Sequence, residues 1–167
     1  MLIITGGNLT KEFLQNFLKE NKSEKIIAVD KGLEILNKLD VKPDYIIGDF
    51  DSVNNEILKQ YKNTPITYLK PEKDFTDTHM ALKKVIEMGG KQITIVGATG
   101  TRFDHTIANI HILKEAIENG VDIQIIDEHN KIKLINKNIE IKKDNRYKFV
   151  SLIPLTTTVE RSKFRRF

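Results

Sequence analysis

Two carboxylates one residue apart, Asp49 and Asp51, follow directly on the apolar run Tyr45-Ile46-Ile47 and a glycine, Gly48. A β-prone run that ends in glycine and then acids places those acids where a strand stops and its chain turns. In open α/β sheets, ligands bind in the crevice beyond the carboxyl ends of the strands. Two neighbouring carboxylates repel each other unless a cation sits between them and a ligand. Mg²⁺ suits such a place, because it takes one or two carboxylates and completes its shell with water and substrate phosphates. An isolated pair of this kind is more often a polar turn capping the next helix. The rest of the chain decides between the two.

A second cluster, Lys73-Asp74-Phe75-Thr76-Asp77, lies where a strand passes into a helix. Asp74 falls at the expected N-cap and Asp77 one turn on, both near the positive end of that helix. The same spacing also fits a capping box. A third cluster runs from Gly97 through Ala98, Thr99, Gly100, Thr101, Arg102, Phe103 and Asp104 to His105, directly after the apolar run Ile93 to Val96. Glycines at such a turn let the backbone approach a ligand closely, and the N–H groups of a helix start form an anion site. Arg102 adds a guanidinium suited to bidentate phosphate contact. Neither a Walker A sequence nor a G-x-G-x-x-G fingerprint is present. A histidine at a helix N-terminus, such as His105, is first a surface or capping group. Asp30 and Gly32 supply a fourth loop. In a parallel sheet these four loops share one edge. Acids that hold Mg²⁺, basic groups that hold phosphate and a backbone anion nest are what phosphoryl transfer needs.

The elements that must position these loops are legible in the hydrophobic period. Strands are predicted at Leu2 to Thr5, Lys25 to Val29, Tyr45 to Ile47, Ile66 to Leu69, Gln92 to Val96 and Asp122 to Ile126. Between them, Phe13, Leu14, Phe17 and Leu18 predict a helix after a cap at Thr10. Leu33, Leu36 and Leu39 predict a second, and Ile57, Leu58 and Tyr61 a short third. A fourth is expected from about Asp74 to Glu87, ending at Gly89-Gly90, and a fifth from about Asp104 to Glu118, ending at Gly120. This alternation argues for a mostly parallel, helix-covered sheet, an α/β domain over residues 1–126. From 127 the texture changes. Lys131 to Ile135, Ile139 to Ile141 and Tyr147 to Ile153 alternate apolar with polar residues, as an incomplete antiparallel β unit would. A basic tail follows from Glu160.

Composition sets the outer limits. Of 167 residues, 40% are apolar and 30% charged, which describes a globular protein. The net charge of +4 owes much to Arg161, Lys163, Arg165 and Arg166, so no general surface for nucleic acid or a membrane is expected. The absence of cysteine excludes disulfides, thiol catalysis and thiolate metal sites. Met1-Leu2-Ile3-Ile4 is too short an apolar run for a signal segment, and a cytoplasmic location is expected.

Taken together, the loops resemble those of the thiamine pyrophosphokinase (thiamine diphosphokinase) family. The matching pieces are Ala28 to Gly32, Pro43 to Ser52, Lys73 to Asp77, and Gly97 to His105 with Asn109; Asp127 and Asn130 fit the pattern that follows. The resemblance spans roughly residues 1 to 155. It implies an α/β catalytic domain followed by a β-sandwich, homodimers, and a thiamine site between subunits. The implied reaction moves a diphosphate from ATP to thiamine, giving thiamine diphosphate and AMP. Carried over by motif, Asp49, Asp51 and Asp77 hold Mg²⁺, and Asp74 completes the acidic cluster with Lys73 near the phosphates. Asp30, Gly97, Thr99, Arg102, Asp104 and His105 lie along the nucleotide. Asp51 is the first choice to accept the hydroxyl proton, with the other carboxylates open. The tail departs from the family pattern as a truncation or altered reading frame would. The expectation is therefore Mg·ATP binding with poor thiamine turnover unless dimerisation rebuilds the pocket. Two other readings fit parts of the sequence. An aspartyl-phosphate phosphohydrolase would use Asp49 as nucleophile, and a non-catalytic nucleotide- or thiamine-binding module needs no turnover at all.

Overall fold

The computed structural model describes residues 1–51, 53–70 and 75–159. Among them, strands and helices alternate: β1 (Leu2–Ile4), α1 (Lys11–Glu20), β2 (Ile26–Val29), α2 (Gly32–Lys38), β3 (Tyr45–Gly48), α3 (Asn55–Gln60), β4 (Ile66–Tyr68), α4 (Asp77–Glu87), β5 (Gln92–Val96), α5 (Phe103–Glu118), β6 (Asp122–Ile126) and β7 (Lys131–Ile132). The strands form one sheet in the order β4-β3-β2-β1-β5-β6-β7. Every neighbouring pair is parallel except β6 with β7.

Both faces of this sheet are covered, which is why its central strands read as unbroken apolar runs. Leu2, Ile4, Ala28 and Ile46 point to one face and pack with Leu14 and Phe17 of α1 and Leu33 and Leu36 of α2. Ile3, Ile27, Val29, Ile47 and Ile95 point to the other, against Ala81, Leu82 and Val85 of α4 and Ile112, Leu113 and Ala116 of α5. Leu82 and Leu113 are fully buried. Truncating such a leucine to alanine costs about 2–5 kcal/mol.

Helix starts follow local chemistry. Thr10 caps α1, its hydroxyl accepting from the Phe13 amide. At α4 the cap is Thr76, which accepts from the His79 amide, and Asp77 is the first helical residue. The helix thus starts about three residues later than the expected Asp74, which lies outside the described residues.

The end of the chain differs from expectation. Lys131–Ile132 is a strand, but it joins the edge of the same sheet beside β6. Residues 139–141 and 147–153, expected as strands, form none. Their apolar side chains lie open to solvent, Phe149 at 85% and Ile153 at 84% exposure. Alternation makes a strand only where a partner and a second surface exist to bury one face. The basic tail expected from Glu160 onward lies outside the described residues. Among the described residues, no helix is long and apolar enough to cross a membrane.

Candidate active site

Parallel register gathers distant loops at one rim. Val29 pairs with Ile47 and Val96 with Ile126, so Asp30 stands beside Gly48 and Gly97 beside Asp127. One carboxylate oxygen from each of Asp30, Asp49 and Asp77 lies within 4.8 Å of the other two. These three acids leave β2, β3 and the first turn of α4, and each is half-buried.

Their proximity has an electrostatic cost. The Asp30 carboxyl is pushed up to about 7, first by burial, then by the Asp77 carboxylate against it and by the charge of Asp49; the Phe50 amide pulls the other way. Asp30 Oδ1 is buried and, among the described residues, has no hydrogen-bond partner. A buried acceptor with nothing to accept from is expensive, and neighbouring like charges add to the cost. A divalent cation relieves both. An oxygen-only donor set of three carboxylates suits Mg²⁺.

The loops are strained to achieve this. Asp30 and Phe50 both take left-handed backbone conformations, with φ of 46° and 58°. For a bulky residue such as phenylalanine this is unfavourable and must be held by its surroundings. The Phe50 ring is buried and meets Tyr68 edge-on at 5.3 Å. The left-handed turn has a consequence for the acids on either side of it. Asp49 faces Asp30 and Asp77, whereas Asp51 is exposed and stands outside the group. The Asp51 amide donates to Asp49 Oδ1 at 3.3 Å. So the acid trio contains Asp30, expected along the nucleotide, in the place expected for Asp51. Lys73 and Asp74 lie outside the described residues.

The second half of the rim is the crevice between β1 and β5. β1 is central, with β2 on one side and β5 on the other, so the chain leaves it in opposite directions. Such a switch point is where doubly wound sheets take ligands. Here the β1 loop runs on against the β5 loop: the Thr5 hydroxyl and the Gly7 amide both donate to Gly97 O, at 2.5 and 2.8 Å, and the Asn8 amide donates to Thr99 O at 2.8 Å. A Cβ on Gly7 would lie 2.2 Å from Gly97 O, so only glycine permits this approach. The sequence reading did not single out Gly6-Gly7, although the signal, glycines directly after an apolar strand, is the one read at Gly97.

Around that loop, the Thr99 hydroxyl donates to Asp127 Oδ2 at 2.7 Å. Burial raises the Asp127 carboxyl, but Thr99, the His129 amide and Asn130 outweigh it and hold the group below its ordinary value. Asn109, buried on α5, donates to Ala98 O at 2.8 Å and fixes the turn from beneath. Arg102 and Asp104 form an exposed ion pair at 2.6 Å where α5 begins, and His105 Nε2 lies 3.9 Å from Asp104. The Arg102 contact holds the Asp104 carboxyl below its usual range. Gly97, Thr99 and Arg102 thus lie in the β5–α5 loop and Asp104 and His105 in the first turn of α5, at the rim that carries the acids.

Residues 17–125 match the model of the thiamin pyrophosphokinase catalytic domain. A thiamine pyrophosphokinase of Bacillus subtilis is 32% identical over 136 residues, covering 80% of this chain and 64% of that protein. Thiamin pyrophosphokinase 1 of Caenorhabditis elegans is 26% identical over 147 residues, covering 81% and 59%. The crystal structure of the Bacillus subtilis enzyme superposes with a TM-score of 0.74 at 28% identity, covering 86% of this chain and 68% of that one. The thiamin pyrophosphokinase from Geobacillus thermodenitrificans gives 0.63 at 28% identity, covering 78% and 60%. The chain thus spans a little under two thirds of the length of these Bacillus subtilis and Caenorhabditis elegans relatives. With the family's catalytic domain matched across the rim of strands β2 to β6, the chain belongs to the thiamin pyrophosphokinase family.

Proposed function

We propose that this chain catalyses diphosphate transfer from ATP to thiamine, yielding thiamine diphosphate and AMP. The observation that carries the proposal is the trio Asp30, Asp49 and Asp77 beside the β1–β5 crevice. Carboxylates for a metal and a glycine-rich anion cradle on one rim are the parts that phosphoryl transfer requires.

Asp30, Asp49 and Asp77 would hold Mg²⁺, which supplies neutralisation of the developing phosphate charge. The nucleotide lies along Gly97, Thr99, Arg102, Asp104 and His105. Arg102 meets phosphate oxygens in exchange for its exposed partner Asp104. Lys73 and Asp74, whose roles near the phosphates and in the acidic cluster follow from the family motif, lie outside the described residues. The thiamine hydroxyl attacks the β-phosphorus, the bond between that phosphorus and the α,β-bridging oxygen breaks, and AMP departs with the electron pair. Asp51, exposed in the turn after β3, takes the hydroxyl proton on a carboxylate oxygen. Holding the reactants in line, together with charge neutralisation by the metal, Lys73 and Arg102, would supply most of the acceleration. Acidic walls also favour the cationic thiazolium ring.

The reading includes a cytoplasmic homodimer, with the segment after β7 belonging to a second domain and the dimer completing the thiamine pocket. The test is direct. Incubation with ATP, Mg²⁺ and thiamine should give AMP and thiamine diphosphate in equal amounts. ADP or orthophosphate would assign a different phosphoryl chemistry, and no product would leave a binding module.

A further inference from the structure

A cavity of about 220 Å³ opens beside the strand rim, between the β1 loop and α2. Three lysines line it: Lys11 at the start of α1, Lys31 in the β2 loop, and Lys38 at the end of α2. One acid, Glu34, shares the wall, and its Oε1 already accepts from the Asn54 amide at 3.2 Å. None of the three ammoniums forms an ion pair among the described residues. Like charges gather around a cavity at a cost unless an anion occupies it.

The backbone forms the floor. Gly6 and Gly7 line the cavity, and a Cβ on Gly6 would lie 2.6 Å from Lys31 Cβ, so the β1 and β2 loops interlock there. Lys31 directly follows Asp30 of the acid trio. The cavity is smaller than the roughly 300–1,000 Å³ of sites that enclose a whole drug-sized ligand. It therefore suits part of a ligand, and its chemistry selects a small, multiply charged oxyanion.

We propose that this lysine cavity seats the terminal phosphates of the bound nucleotide. The proposal rests on the diphosphate-transfer reading and assigns Lys11, Lys31 and Lys38 as the residues that distinguish ATP from AMP. Ammonium groups bind phosphate as point charges without demanding bidentate geometry, which suits a seat from which the diphosphate must depart.

Titration calorimetry on the full chain tests this without any need for turnover. Mg·ATP, AMP and inorganic diphosphate are each titrated into the parent protein, into Lys31→Gln/Lys38→Gln, and into Lys62→Gln, which removes a charge elsewhere on the surface. Circular dichroism melts confirm that each variant is folded. The expected result is a loss on the order of tenfold or more in Mg·ATP and diphosphate affinity for the double variant, with AMP affinity unchanged. Lys62→Gln should bind all three like the parent. Equal weakening of ATP and AMP would overturn the proposal, as would unchanged ATP binding. Loss of free diphosphate binding alone, with ATP intact, would also overturn it by assigning the cavity to a separate anion. Failure of the diphosphate-transfer reading appears elsewhere, as absence of AMP formation by the parent protein.

Discussion

Asp30 and Gly48 stand side by side at the rim, so close that a Cβ on Gly48 would fall 1.9 Å from Asp30 Oδ1 and 3.2 Å from the Phe50 ring. The glycine that closes β3 is thus the space in which the innermost carboxylate sits. Gly48→Ala should displace Asp30, destabilise the fold by about 1–3 kcal/mol, and abolish AMP formation. Calorimetric melting together with an AMP assay measures both. A fully active Gly48→Ala enzyme would show that Asp30 need not occupy that place.

The acid trio is built against stability. Above about pH 7, where Asp30 is ionised, Asp30→Asn removes one charge from a group of three that repel, so the metal-free variant should melt higher than the parent. The same change should lower the rate of AMP formation on the order of 10²-fold or more, because a metal-binding oxygen is lost. Opposed shifts of this kind mark residues kept for function. A variant that is both less stable and fully active would remove Asp30 from the site.

Asp30 also sets a pH dependence. In the folded chain it holds its proton up to about pH 7, whereas the unfolded chain releases it near the ordinary value of 3.8. Between these values the folded state binds more protons, so stability falls as pH rises through that window. The depressed carboxyls of Asp127 and Asp144 act only at lower pH, where their contribution is lost as they become protonated. Without metal, the melting temperature should therefore be higher near about pH 5 than near about pH 8. Mg²⁺ should raise the melting temperature more at the higher pH, where Asp30 is ionised. Asp30→Asn should flatten this slope, and an unchanged slope would place its origin elsewhere.

The placement of the two neighbouring acids yields a sharper comparison. Phe50 turns Asp51 away from the trio while Asp49 stays within it. Asp49→Asn should weaken Mg²⁺ dependence and rate together, whereas Asp51→Asn should leave the Mg²⁺ requirement intact and change chiefly the pH profile of the rate. Equal loss of Mg²⁺ affinity in both variants would mean that Asp51 is a ligand after all.

What the sequence made legible was whatever depends on local period. The central strands β1, β2 and β3 are legible because burial on both faces leaves apolar runs such as Leu2-Ile3-Ile4, closed by turns that carry glycine. The membership of Asp30 in the acid trio was not legible, because it depends on the register of β2 against β3 and on the left-handed φ of Asp30 itself. The outward turn of Asp51 is hidden for the same reason, since nothing in the string Asp-Phe-Asp announces a phenylalanine with positive φ. Residues 147–153 were misread because alternation carries no information about whether a partner surface is there to meet it. Phe149 and Ile153 found none among the described residues.

One pair links the two halves of the rim from behind. His79 Nε2 and Glu115 Oε2 are 2.5 Å apart, joining the first turn of α4, which carries Asp77, to α5, which grows from the Gly97 loop. The Phe75 ring packs edge-on against His79 at 4.7 Å, and the Lys83 ammonium lies 3.9 Å over Phe75. Severing the link with Glu115→Ala should cost about 1–3 kcal/mol of stability, the range for hydrogen bonds to charged groups and for unsatisfied partners. If the pair also positions Asp77, kcat for AMP formation should fall on the order of tenfold while AMP affinity is retained, since small misplacements of aligned groups are costly. Glu115→Gln, which keeps a hydrogen-bonding oxygen for the imidazole, should restore most of the rate. An Ala variant that melts early yet turns over at the parental kcat would confine His79 and Glu115 to holding the helices together.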